Sequence, residues 1–387
     1  ELEAALKPHD LTLRHYPQSF EFSTLGGWIA TRAGGHFASN YTHIDDFVEN
    51  VRMITPRGVM ESRRLPGSGA GPSPDRMMIG SEGTLGFITR AWMRLQDRPC
   101  FRASASVTFA GMPQATAAVR AISQAGLFPS NCRLLDPLEA MVNGVGDGAT
   151  ALLVLAFESA DHPLQAWMAR ALELVADHGG RWEQDSVDRS MAPPEAAAQE
   201  AGEHRKGAAG DWRNQFLRAP YYRNYLTPAG LILDTFETAI TWDRFEEFYA
   251  GVKDRVGRVL REVSGAEPML SCRFTHIYPD GPAPYFTYYC MGSKTGDMAS
   301  MLDKWRTIKL AANEAVTSLG GTVTHHHAVG RDHRPSGYDQ QVPPLFREAF
   351  VGARQALDPC GMMNPGVLVD TPARGATAGG AMRVAVD

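Results

Sequence analysis

Cysteine is scarce and scattered: Cys100, Cys132, Cys272, Cys290 and Cys360 are the five in 387 residues, and no CxxC pair occurs. An odd, widely spaced set argues against a disulfide framework and a cysteine-built zinc site, and fits free thiols in a reducing, cytoplasmic compartment. Long apolar runs are also lacking. Stretches such as 151–157 fall far short of the ~20 residues a membrane-spanning helix needs. Positive charge is not in excess: the net charge of −5 argues against a nucleic-acid or anionic-membrane surface, while leaving room for local basic pockets. GxxxxGK[ST] and HExxH are absent too, so neither a mononucleotide phosphate loop nor that zinc-protease site is encoded. What remains, 44% hydrophobic and 21% charged, describes an ordinary globular chain long enough for two domains with ample core.

The chain opens on the end of a helix (Leu2, Ala5, Leu6), then an extended segment from Leu11 to Tyr16. Residues 17–40 are rich in small residues, with Gly26-Gly27 and Gly34-Gly35 reading as loops whose N–H groups could cradle phosphate or flavin oxygens. A strand over 50–55 turns at Pro56-Arg57-Gly58 into a second from Val59. After a Gly/Pro/Ser loop at 65–74, the segment 78–89 is a second glycine-punctuated turn feeding a strand. From Phe101 strands and helices alternate: strand 104–109, helix 115–125, strand 150–157, helix 164–176. Residues 183–211 read as a solvated helix. Strand 231–240, helix 244–263, a hairpin of 271–278 with 285–290, and helix 298–319 follow. The second series loosely repeats the first, as in an antiparallel sheet backed by helices. The tail 371–387 reads as flexible.

Between Gly320-Gly321 and Gly330 stand His325, His326 and His327. Histidine changes charge near neutral pH, so the cluster could move protons or hold an anion. Its internal position disfavours a purification tag. In an extended run His325 and His327 would share one face and His326 the other, so the three could not bind one ion, and no metal is expected. Surface decoration is the other bland reading.

Several of these stretches together resemble a known family, the vanillyl-alcohol oxidase type flavoproteins, and within it the alkyldihydroxyacetonephosphate synthases. The matches are Pro17 to Trp28 with Thr31-Arg32-Ala33, Gly80 to Gly86, Cys132 to Asp136, Tyr222-Arg223-Asn224, Phe236-Glu237-Thr238, Ser271-Cys272-Arg273, Tyr285-Phe286 and the histidine run. They span roughly residues 9–368.

The resemblance implies an α+β protein: a vanillyl-alcohol oxidase type FAD-binding domain plus an antiparallel-sheet cap domain with helices. It implies residues 1–100 as the second subdomain of the FAD domain, 101–330 as the cap, and 331–370 as the return to the FAD domain. The first subdomain, with its glycine-rich pyrophosphate loop, is expected but missing from this sequence. FAD is the implied cofactor, held by Gln18, Ser19, Phe20, Glu21, Phe22, Ser23, Thr24, Thr31, Arg32, Ala33, Gly34, Glu82, Gly83, Thr84, Leu85, Gly86, Phe87 and Ile88. The implied reaction has no net oxidation: flavin N5 forms a covalent adduct with acyl-dihydroxyacetone phosphate, the fatty acid leaves, and a fatty alcohol replaces it as an ether. Tyr285 matches the family's catalytic tyrosine; with an ordinary pKa of ~10 it would need nearby cations to act as a base. Arg223 matches the substrate-binding arginine, and Arg133 is a second candidate, since guanidinium suits phosphate through paired hydrogen bonds. His325, His326 and His327 match a loop assisting phosphate or alcohol. Lipid phosphate and fatty alcohol are the expected partners, with a homodimer, peripheral membrane contact and no nucleic acid.

Two alternatives stand beside this reading. An FAD-dependent 2-hydroxy-acid dehydrogenase or oxidase, of the D-lactate or glycolate type, shares Asn364-Pro365-Gly366, but the metal motif common in those enzymes is only echoed from His276 to Gly281. A non-catalytic scaffold is the other.

Overall fold

Residues 1–35, 42–191 and 221–370 are described by the structure, a computed structural model. The first hundred contain helix α1 (Leu2–Leu6), strand β1 (Leu11–Thr12) and helix α2 (Leu25–Thr31). Strands β2 (Val48–Thr55), β3 (Gly58–Glu61) and β4 (Phe87–Met93) form an antiparallel sheet of order β3-β2-β4, with helix α3 (Pro74–Met78) between β3 and β4 in the chain. Strand β5 (Gln96–Asp97) closes on β1. The glycine-rich stretch expected as loops is in part a helix. The Thr24 side chain caps it, accepting the Gly27 N–H at 3.1 Å, and Ile29 anchors it in the core. Burial thus overrides the ~1 kcal/mol that each interior glycine costs a helix. Gly26 packs on β4: a Cβ there would lie at ordinary contact distance, 3.4 Å, from the Ile88 carbonyl oxygen.

The middle of the chain builds one antiparallel six-stranded sheet, of order β6-β8-β7-β10-β11-β9. Its elements are β6 (Phe101–Phe109), α4 (Met112–Gln124), β7 (Asn131–Leu135), α5 (Pro137–Val142), β8 (Ala151–Ser159), α6 (Gln165–Ala176), α7 (Gln184–Ser190), β9 (Leu231–Glu237), α8 (Phe245–Ser264), β10 (Met269–Ile277), β11 (Pro282–Met291) and α9 (Met298–Ser318). The sequence pattern misses β7, whose five residues are too few to display alternation. Yet β7 joins the two halves of the sheet, pairing with β8 and, at Leu135 opposite Arg273, with β10. Of the stretch 183–211, α7 is described; residues 192–220 and the tail 371–387 lie outside the described residues.

Period-two alternation decides what each face does. Cys132, Leu134, Cys272, Phe274, Phe286, Tyr288 and Phe236 point into the large core shared with α4, α6, α8 and α9. Their neighbours Arg133, Arg273, Thr275, Tyr285 and Glu237 take the other face. A second core under β2–β4, built on Leu13, Ile29, Phe47, Val51 and Met53, receives Phe350 and Leu357 of the last helix, α10 (Pro344–Leu357). All five cysteines are free. Among the described residues no helix is long and apolar enough to cross a membrane.

Candidate active site

The register of three strands assembles the site's floor. Arg273 of β10 lies opposite Tyr285 of β11, and Tyr285 lies opposite Glu237 of β9. Arg133, Arg273, Thr275, His276 and Tyr285 line a cavity of about 460 Å³. Gln18, Ser19, Ser23, Trp28, Thr31, Ala33, Gly34 and Gly35 supply further wall, and His326 and His327 another part.

Two guanidiniums are buried in this floor. Arg273 donates to Glu139 Oε1 at 2.5 Å, and its guanidinium carbon sits 4.0 Å from the Tyr285 ring centroid. Burial pushes Arg133 down to about 9, with the Arg273 charge beside it acting the same way. It stays cationic at neutral pH. Tyr285, 5% exposed, donates its hydroxyl to Thr235 Oγ1 at 3.0 Å. Burial raises its pKa and the Arg273 charge opposes the rise; burial prevails. The cation that a phenolate base would need is there, but desolvation outweighs it, and the raised pKa leaves the residue a neutral phenol at neutral pH.

The histidine run is not extended. It bends around Glu237, a fully buried carboxylate that accepts the backbone N–H groups of His325 (2.8 Å), His326 (3.0 Å) and His327 (2.9 Å) and the Thr324 hydroxyl. Amides satisfied by an anion replace the alternation of a strand, so all three rings gather near one carboxylate, at 3.2 Å for His326 Nδ1 and 3.9 Å for the other two. Burial opposes ionisation of Glu237, but the surrounding histidines hold its pKa well below the usual carboxylate range. Burial likewise holds His325 and His327 below the ordinary histidine value. His325 Nε2 lies 2.5 Å from Tyr278 Oη, and His276, His325 and His326 bring ring nitrogens within 4.8 Å of one another. Sequence reasoning assigned no role to Glu237, Arg273, His276 or Tyr278. The usable signal for Glu237 was a carboxylate at the end of a mostly apolar strand, Leu231–Glu237.

Buried neutral histidines make stability pH-dependent. Burial lowers His15, 2% exposed, from 6.5 to about 3, and His333 to about 4. Below pH 6.5 the unfolded chain binds protons that the folded chain refuses, so stability falls as pH drops from 6.5 toward those values. Urea midpoints measured from pH 7 to 4 should decline, and His15→Phe should flatten that slope.

Of the residues expected to hold the cofactor, Gln18, Ser19, Ser23, Thr31, Ala33 and Gly34 line the cavity. Phe20, Phe22 and Arg32 do not, nor do Glu21, which takes the Tyr221 hydroxyl at 2.9 Å, and Thr24, the helix cap. The second glycine turn is brought to the histidine loop instead. Glu82 accepts the Val329 and Gly330 N–H groups at 2.8 Å each, and its carbonyl accepts Asn364 Nδ2 at 2.5 Å. Thr84 and Leu85 are buried, Gly86 abuts the Ile54 carbonyl and Met53, Gly83 faces Asn364, Ile88 backs Gly26, and Phe87 is exposed. Arg223 is not brought to the cavity wall: it is half exposed and donates to Asp234 Oδ1 at 2.6 Å.

Backbone at Gly34 and Gly35 packs so closely on two histidines that a Cβ would come within 2.9 Å of His326 Cβ and 2.7 Å of His15 Nδ1. The buried Nδ1 of His276 has no hydrogen-bond partner among the described residues. Residues of the first hundred and of the six-stranded sheet thus share the walls of one cavity.

Residues 98–368 match the family described as FAD linked oxidases, C-terminal domain, and residues 1–62 match the FAD binding domain. The chain belongs to the FAD-linked oxidase family, and its cofactor is FAD. It is 26% identical over 381 residues to alkyldihydroxyacetonephosphate synthase of Dictyostelium discoideum, covering 96% of this chain and 61% of that one. A probable mitochondrial D-lactate dehydrogenase of Danio rerio is 23% identical over 362 residues, covering 90% and 65%. A solved alkyldihydroxyacetonephosphate synthase superposes with a TM-score of 0.70 at 21% identity, covering 94% of this chain and 61% of that one, so the fold is shared. The chain spans about three-fifths of the length of the curated synthases it matches.

Proposed function

We propose that the chain is the catalytic part of an ether-lipid synthase that exchanges the acyl group of acyl-dihydroxyacetone phosphate for a fatty alcohol. The observation that carries this reading is the pair of buried cations, Arg133 and Arg273, in one cavity with Tyr285 and the histidine loop. A phosphate is a fitting anion for two buried guanidiniums, and neutral Tyr285 and the histidines are suited to handle the alcohol's proton. In this reading Trp28, Ser19 and the backbone of residues 31–35 hold the flavin. When bound, FAD supplies the redox-active isoalloxazine ring to the cavity. Arg133 and Arg273 orient the headgroup, and Tyr285 holds a proton at Oη beside the reacting carbon.

The two separate cores support a division into 1–100 and 101–330, with 331–370 returning to the first. Peripheral contact with a membrane, which a lipid substrate calls for, and a homodimer belong to the same proposal. The similarity to D-lactate dehydrogenase favours one alternative, oxidation of a 2-hydroxy acid, whose carboxylate would use the same cations.

Protein from the complete reading frame, loaded with FAD, should be yellow and convert acyl-dihydroxyacetone phosphate plus a long-chain alcohol to ether product. Flavin bleaching by D-lactate or glycolate with no ether formed would overturn the synthase reading in favour of the alternative. A folded, colourless product that does neither points to a scaffold.

A further inference from the structure

Glu237 does more than collect amides. Its Oε2 stands 3.2 Å from His326 Nδ1, and a carboxylate only accepts, so the proton between them belongs to the ring. His325 Nδ1 lies 3.1 Å from that same His326 Nδ1 but 3.9 Å from the carboxylate. One proton serves the contact between the two rings, which leaves His325 Nδ1 bare and puts the His325 proton on Nε2, toward Tyr278 Oη. Among the described residues His326 Nε2 has no hydrogen-bond partner, and the ring lines the cavity, stacked 6.1 Å from Tyr285.

We propose that Glu237 is a positioning residue that holds His326 as its Nδ1–H tautomer, leaving a bare Nε2 in the cavity as the base for the incoming alcohol. The alcohol half of this inference rests on the synthase reading; the tautomer does not. In the step, the alcohol O–H bond breaks and its electron pair forms the new C–O bond. The proton goes to His326 Nε2 and then to solvent. The departing fatty carboxylate keeps the electron pair of the C–O bond it leaves, so nothing is oxidised or reduced. The positive imidazolium is matched by the Glu237 charge, as a carboxylate does for histidine in hydrolytic triads. The other titratable groups facing His326 are His276 of β10, Tyr285 of β11, His43, and His325 and His327 of its own loop; Arg133 is a further charge near His276.

Ring-15N-histidine NMR of the full chain with FAD tests this, His326 being assigned by its loss in His326→Gln. Wild type should show His326 protonated at Nδ1 and bare at Nε2. Glu237→Gln should shift the ring toward Nε2–H and lower kcat for ether formation by about 100-fold or more with little change in KM, and Glu237→Asp should restore part of both. A wild-type Nε2–H tautomer, or an unchanged tautomer in Glu237→Gln, overturns the proposal. The wild-type spectrum decides even if Glu237→Gln does not fold. Because the tautomer is read without substrate, a protein with the expected tautomer that forms no ether sinks the synthase reading alone.

Discussion

On the synthase reading, Tyr285→Phe should leave a folded, FAD-binding protein whose ether-forming turnover is lower by about 10²–10⁴-fold, the usual contribution of a positioned proton-transfer group. The fold tolerates the change because a single neutral bond to Thr235 is lost, a cost of about 1 kcal/mol. The ring itself stays, and with it the contacts to Arg273, His326 and His327. Rate and flavin absorbance, measured together, separate the two effects. Wild-type rate in the variant would remove Tyr285 from the chemistry and return it to the sheet as a packing residue. Since burial keeps the phenol protonated, the wild-type profile should show no loss of a tyrosine proton across neutral pH.

Arg273→Met is expected to be costly in a different way. It strips the cation from Glu139, which is 2% exposed and otherwise bonded to the Ser271 hydroxyl. An ion left alone in the interior costs about 3–5 kcal/mol, far more than a surface pair would. Denaturant unfolding of Arg273→Met, Glu139→Gln and the double variant forms a cycle. The double variant should recover most of the stability, because neither partner is then a buried unpaired charge, while binding of a phosphate-bearing substrate stays weakened. Full recovery of binding in the double variant would show that Arg273 serves the fold and not the ligand.

Much of this was legible beforehand. The alternating strands, the hairpin that carries Tyr285 and the long helices follow from periodicity, and the resemblance picked out Arg133, Tyr285 and the histidines, all of which meet at the cavity except His325, which sits just behind it. What stayed hidden depends on partners distant in sequence. Glu237 is one acidic residue at a strand end until register sets it beside Tyr285 and the loop 88 residues on folds over it. Arg273 stood in a motif already noted, but its role needed Glu139 and a cross-strand neighbour. Arg223 went the other way, since no local pattern could reveal that Asp234 would take it. Helix α2 was missed because composition spoke for a loop while one capping threonine and one buried isoleucine spoke for a helix.

Glu82 is bonded to the backbone of Val329 and Gly330 and to the Asn364 side chain, 247 to 282 residues away in the chain. Contacts of that span form only after long loops have closed, and such closures slow folding. The histidine loop should therefore take shape late, once the glycine turn, the six-stranded sheet and the Asn364 segment have all met. During refolding, secondary structure should return before flavin fluorescence changes, and a chain cut before Asn364 should keep its sheet yet lose the order of the histidine loop.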